Sequence, residues 1–207
     1  MSEIVDSFFI ETQNLEDRSS VLIEYLKRLT VDDILSEIEK SDVKINPITP
    51  ANVSQFSNID VIDNVIEIVD AAAEEIDFAY VGYMINKSSN EAAQRKYGEN
   101  HLKLAIQMGL ITQKPYRVTE LGHYYISLSK EFRKQLRTKL YFRIPVIQRI
   151  LVESRTKRVD GTLVLQEVLS ESTAIRRRSN IRKLVKEIQE QASNELKGQI
   201  AENIVWS

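Results

Sequence analysis

The 207-residue chain contains no cysteine. That excludes disulfides, thiolate metal sites and cysteine nucleophiles, and fits a reducing compartment. Glycine and proline are scarce, at 6 and 4 residues, so little of the chain is suited to turns and helices are favoured. No stretch approaches 18 uncharged apolar residues, and the opening MSEIVDSFFIETQ lacks a basic segment ahead of an apolar run. Neither a membrane span nor a secretory leader is therefore expected, which points to the cytoplasm and to no membrane partner. His101 and His123 are the only histidines and have no second-ligand spacing around them. The chain also lacks a phosphate-cradling glycine loop, a Gly-x-Ser-x-Gly and paired zinc ligands. The nearest approach to a nuclease Glu-x-Lys is Glu37-Ile38-Glu39-Lys40, in a helical context. The expectation is a non-enzymatic protein with no catalytic residues, metal or cofactor.

What is present is a charge division along the chain. Residues 1–77 hold 18 Asp and Glu against 5 Lys and Arg, a balance of −13, while 78–207 hold 12 against 23, a balance of +11. Such asymmetry suggests a basic part that meets a polyanion. The alternative is that the two parts attract each other within the fold or between subunits.

Apolar spacing predicts a mainly α chain. Val21, Leu22, Tyr25, Leu26 and Leu29 form a helical stripe, and Thr30 is placed to cap a helix carrying Ile34, Leu35 and Ile38. Residues 44–58, with two prolines and no clear period, suggest a linker. Ile59, Ile62, Val65, Ile66 and Val69 predict a helix over about 59–73, and a second begins near Glu74–Asp77. A short helix capped by Ser88, Ser89 or Asn90 and a third helix from Glu99 follow. The third carries Leu102, Ala105, Ile106 and Gly109 on one face. Next come a strand, a turn at Lys114-Pro115, a returning strand, and a helix capped by Thr119. Three helices closed by a hairpin is the order of a winged helix.

Beyond 130 the spacing predicts helix with a junction at Phe142–Pro145, a turn at Asp160-Gly161, and helices over 145–153, 162–169 and 172–191. No wing is evident after them. Leu196, Ile200, Ile204 and Val205 give a tail that docks back as a helix. The expected division is 1–58 as an acidic helical N-terminal region and linker, 59–130 as a first winged-helix unit, and 131–207 as a second helix-turn-helix-like unit with a C-terminal helix.

The stretches GLITQKPYRVTELGHYYISL and ESTAIRRRSNIRKLVKEI resemble prokaryotic tandem winged-helix/helix-turn-helix modules. Such modules occur in restriction- or defence-associated proteins and transcription regulators. The resemblance covers about residues 78–190, with Leu184 or Val185 where an aromatic is common. It implies tandem winged-helix units with a small β-wing, preceded by an N-terminal helical region, and double-stranded DNA as ligand.

Candidate contacts follow from the helix faces. On the third helix of the first unit Asn100, Lys103 and Gln107 face outward, with Arg95 and Lys96 ahead of them and Lys114 and Arg117 on the wing. In 172–190 the buried stripe is Ile181, Leu184, Val185 and Ile188. Arg176, Ser179, Lys183 and Lys186 lie opposite, and Arg182 lies at one edge. Cations and amides of this kind bind phosphates and base edges. Arg177 and Arg178 fall nearer the apolar side, where they reach a phosphate or pair with a carboxylate such as Glu167 or Glu171. Tyr124, Tyr125 and Phe142 are core candidates. The expected function is sequence-specific duplex DNA binding, with the acidic N-terminal region serving self-association or a partner protein. The rival is a non-enzymatic interaction subunit of a larger defence or nucleoprotein complex.

Overall fold

In a computed structural model, residues 6–8, 18–41, 45–53, 55–86 and 90–207 are described. They are mainly helical, with one pair of two-residue strands. No described helix is long and apolar enough to cross a membrane. The chain forms two compact units. A composite unit takes residues 1–9, 24–53 and 134–207, and a mid-chain unit takes 10–23 and 54–133. By residue count the composite unit holds 19 basic against 16 acidic residues, a balance of +3, and the mid-chain unit 9 against 14, a balance of −5. The steep division seen along the chain is thus reduced by folding, because acidic residues 24–42 join the basic C-terminal half.

Helix α1 (Ser19–Arg28) buries Leu22, Ile23 and Leu26 and leaves Val21 43% exposed. The stripe is rotated by one position from the expected one, with Ile23 replacing Val21. Helix α2 (Val31–Lys40) begins at Thr30 with a full capping box. The Thr30 hydroxyl accepts from Asp33 N–H, and the Asp33 carboxylate accepts from Thr30 N–H. The bond from Thr30 N–H, then a second from the Thr30 hydroxyl to the same carboxylate, hold the Asp33 carboxyl below the usual carboxylate range. Val31, Ile34, Leu35 and Ile38 are buried, and α2 packs on α8 (Pro145–Ser154).

The mid-chain unit is built on α3 (Val61–Ala71), α4 (Phe78–Ile85), α5 (Glu91–Gln107) and α6 (Glu120–Ser127). Asp77 caps α4, Asn90 caps α5, and Thr119 caps α6 through its hydroxyl. The other two expected caps of α5, Ser88 and Ser89, lie outside the described residues. The short helix and third helix expected on either side of Gly98 are one 17-residue helix. Gly98 does not break it, because it is where α4 crosses. A Cβ on Gly98 would sit 2.1 Å from the Phe78 carbonyl oxygen, and one on Gly82 would sit 1.8 Å from that of Gln94. Gly109, expected on the helix face, lies past its end with φ 82°. There Gly109 N–H reaches Ile106 O and Leu110 N–H reaches Ala105 O, the Schellman pattern that needs a left-handed residue. The expected wing is a single antiparallel bridge, Ile111 to Val118, around a loop with a cis Lys114–Pro115 peptide.

The long helix α7 (Lys130–Leu140) leads through a 3-10 turn (Tyr141–Arg143) to α8, with Pro145 in its first turn as expected. Asp160 proves to be the N-cap of α9 (Gly161–Gln166), accepting from Thr162 N–H, rather than a turn residue. Helix α10 spans Glu171–Gln191, and α11 (Asn194–Asn203) docks Leu196 and Ile200. Strand β2 (Ile204–Val205) then pairs in parallel with β1 (Val159–Asp160). No antiparallel hairpin follows α10.

A candidate nucleic-acid interface on helix α10

Helix α10 is anchored along its C-terminal half. Glu187 accepts from the Tyr141 hydroxyl at 2.6 Å and from the buried Arg137 guanidinium at 3.4 Å. Lys134 reaches Glu190 at 3.2 Å, and Gln191 donates to the Thr138 hydroxyl at 2.9 Å. Ala174, Ile181, Leu184, Val185 and Ile188 fill the core beneath. Between its first turn and Glu187 the helix presents Arg176, Ser179, Arg182, Lys183 and Lys186, all exposed.

The other members of the arginine triplet serve the fold. Arg177 donates through one nitrogen to the Pro50 and Val53 carbonyls, 2.8 Å each. Burial, then the neighbouring Arg176 charge, pushes its pKa down. Arg178 donates to the Ser207 carbonyl. Neither pairs with a carboxylate, because carbonyls lie within reach and Glu167 is already held by Arg149 at 2.6 and 2.7 Å. That bidentate grip, with Glu153 added, raises the Arg149 pKa. The 45–53 part of the expected linker is therefore a packed strap on α10, with Val53 buried.

Most cations of the composite unit are similarly engaged. Arg155 pairs with Glu39 at 2.9 Å and Lys157 with Glu153 at 2.9 Å. Lys139 donates to the Leu26 carbonyl, and Arg143 to that of Ser7, with burial pushing Arg143 down to about 10. Arg28, Arg158 and Lys197 stand apart without an ion pair among the described residues, and on α10 four such cations come together. Arg182, Lys183 and Lys186 make no ion pair among the described residues, and Arg176 only approaches the Thr173 hydroxyl at 3.4 Å. Four cations within about a third of the helix circumference, none bonded to a carboxylate among the described residues, form a positive face.

The acidic N-terminal region is in part used up inside this unit. Asp33 caps α2, Glu39 holds Arg155, and Asp32 accepts from Ser193 at 2.5 Å from the hydroxyl and 3.0 Å from N–H.

The mid-chain candidates are arranged differently. Arg95, Lys96 and Lys103 are exposed on α5, whereas Asn100 and Gln107 are half-buried. Glu99 lies between the lysines, 2.5 Å from Lys103 and 3.0 Å from Lys96, and both bonds, Lys103 first, hold its carboxyl below the usual range. Lys114 and Arg117 are exposed on the hairpin. Arg117, with Tyr116 and His123, lines a cleft of about 530 Å³ shared with Asp70, Glu74 and Glu75. A phosphate approaching Arg117 would meet three carboxylates there. His123 is exposed, 3.3 Å from Asp70. His101 is fully buried, its Nδ1 2.9 Å from the Tyr97 carbonyl, and burial pushes its pKa down. Tyr125 and Phe142 are core residues, and the Tyr125 hydroxyl donates to Asp63 at 2.6 Å. No group of three His, Cys, Asp or Glu side chains among the described residues could hold a metal ion.

Two residues of the α10 face escaped sequence reading. Ser172 and Ile175 lie on the same side as Ser179, and Ile175 is 46% exposed. Their position on the helical wheel is the signal that marks them, since neither carries a charge. The chain matches no protein-family model, no curated protein and no solved structure.

Proposed function

We propose that the protein binds double-stranded DNA, with α10 as the element that enters the major groove. The observation that carries this reading is the set of exposed cations on α10 without carboxylate partners, in a unit where carboxylates or backbone carbonyls hold most of the other cations. Arg176, Arg182, Lys183 and Lys186 displace counterions from phosphates, while Ser179 and a neighbouring arginine address base edges. Helices α8, α9 and α10 serve as the helix-turn-helix, its third helix fixed by Glu187 and strapped by Arg177. The winged-helix arrangement of the mid-chain unit belongs to the same proposal, with a minimal hairpin in place of a full wing. Relation to defence or transcription modules rests on the sequence resemblance alone.

The test is a fluorescence anisotropy titration of a labelled mixed-sequence duplex with the full chain at low salt. Binding that is lost in the Arg182→Glu/Lys183→Glu variant supports the proposal. Absence of binding at low salt, or binding unaffected by that variant, contradicts it.

A second reading, an interaction subunit of a larger complex, draws on a different surface. Tyr80, Tyr83 and Met84 are exposed on one side of α4, a composition suited to protein contact. Sedimentation of the full chain alone, compared with a Tyr83→Asp variant, checks whether that surface joins two copies.

A further inference from the structure

An isoleucine interrupts the polar face of α10. At about 100° per residue, Ser172, Ile175, Ser179, Arg182 and Lys186 follow one another at spacings of 3, 4, 3 and 4, forming a single strip along the helix. The strip lies opposite the buried Ala174, Ile181, Leu184, Val185 and Ile188. The neighbours of Ile175 on the strip are Ser172 and Ser179, with the exposed Glu171 one turn before it at the strip's margin, yet Ile175 is 46% exposed and adds nothing to the core. Its β-branch holds the side chain in one main rotamer on a helix, so it presents a rigid apolar knob of fixed position.

A rigid apolar group among hydroxyls and guanidinium groups matches one feature of the major groove. Thymine alone places a methyl group at the groove floor, beside donors and acceptors that the serines and Arg182 suit. Arg176, Arg182, Lys183 and Lys186 outnumber the exposed Glu171 and Glu190 on this side of the helix, and Glu190 is bonded to Lys134, so charge complementarity selects duplex DNA as the occupant. We infer that Ile175 is a specificity-determining residue that reads a thymine methyl, with Ser172 and Ser179 on either side contacting the adjoining base edges. The inference rests on the proposed contact of α10 with duplex DNA and adds to it a base preference.

Deoxyuridine differs from thymidine only in lacking that methyl, which makes the test direct. A duplex pool with a randomised centre is selected on the full chain, and each thymine of the selected site is replaced singly by deoxyuridine. Burial of one methyl against a side chain corresponds to about fourfold in affinity. The expected result is one position where replacement weakens binding by that amount in the natural protein. In Ile175→Ala the same replacement has no effect, and in Leu163→Ala, which removes an exposed apolar side chain from α9, it keeps its effect. Equal sensitivity in the natural protein and Ile175→Ala overturns the inference. So does a selected site with no methyl-sensitive position, or binding without sequence preference; the proposed function survives either result. A change in the sedimentation of the free protein on Ile175→Ala would assign the side chain to a contact between copies and also overturn it. No binding to any duplex overturns both proposals.

Discussion

Helices α5 and α10 each come third in a run of three helices, and each carries lysines and arginines on an exposed side. Their surroundings differ. On α5 a single carboxylate, Glu99, is placed one turn from Lys96 and from Lys103 and bonds both, and the hairpin that follows shares its cleft with Asp70, Glu74 and Glu75. On α10, Glu187 and Glu190 bind Arg137 and Lys134 of α7 rather than cations of their own helix. Arg176, Arg182, Lys183 and Lys186 make no ion pair among the described residues. A basic residue in a sequence therefore says little about ligand charge until its partners are known. An exposed pair on a helix is worth a few tenths of a kcal/mol, yet it removes a cation from the field that a phosphate would feel.

The largest expected effect separates the two helices by stability. Gly98→Ala places a Cβ against the backbone of α4 and should cost about 3 kcal/mol or more in thermal or urea unfolding. Ser179→Ala on the open face of α10 should cost no more than about 0.5 kcal/mol. Similar costs at both sites would break the packing account. The next effect concerns ligand. Arg182→Glu/Lys183→Glu on α10 should weaken duplex binding by about 100-fold at low salt, whereas Lys96→Glu/Lys103→Glu on α5 should change it less than about threefold. Equal losses in anisotropy titrations would make α5 a second DNA-contacting helix.

Acid should act on the mid-chain unit through His101. Its folded-state pKa is lowered by burial, so the unfolded chain takes up a proton first as pH falls below about 6.5. Stability conferred by the neutral ring is present above that pH and is lost below it, by at most about 1.4 kcal/mol per pH unit. Urea midpoints measured between pH 7 and 5 should fall in the natural protein and fall less in His101→Gln; parallel curves would contradict the assignment. The smallest effect is a null one. Glu99→Gln frees both lysines of α5, and duplex affinity should stay within about twofold. A clear rise would bring α5 onto the DNA.

Much of the scaffold was legible because it depends on local rules. Thr30, Thr119 and Asn90 cap helices, Pro145 opens one, and Ile62, Val65, Ile66 and Val69 are buried at the spacing a helix requires. The errors came where distant chain decided the outcome. Gly98 looks like a helix breaker until α4 is seen crossing over it. Residues 45–53 read as a linker because nothing in their composition announces that Arg177, more than 120 residues away, will bond their carbonyls. The charge division along the chain exaggerated the field of the folded units for the same reason, since acidic residues 32–39 settle against residues 139–193. For the α10 face, helical periodicity was enough to find the cations, but their lack of carboxylate partners depends on where Glu187 and Glu190 find theirs, on α7.

The central claim, that the open cations of α10 face phosphates, is tested most directly by salt dependence. Plotted as the logarithm of duplex affinity against the logarithm of salt concentration, four phosphate contacts should give a slope of roughly −3 to −4. Neutralising Arg176, Arg182, Lys183 and Lys186 to glutamine should bring that slope close to zero. An unchanged slope in the neutralised variant, or a flat line in the natural protein, would contradict the account.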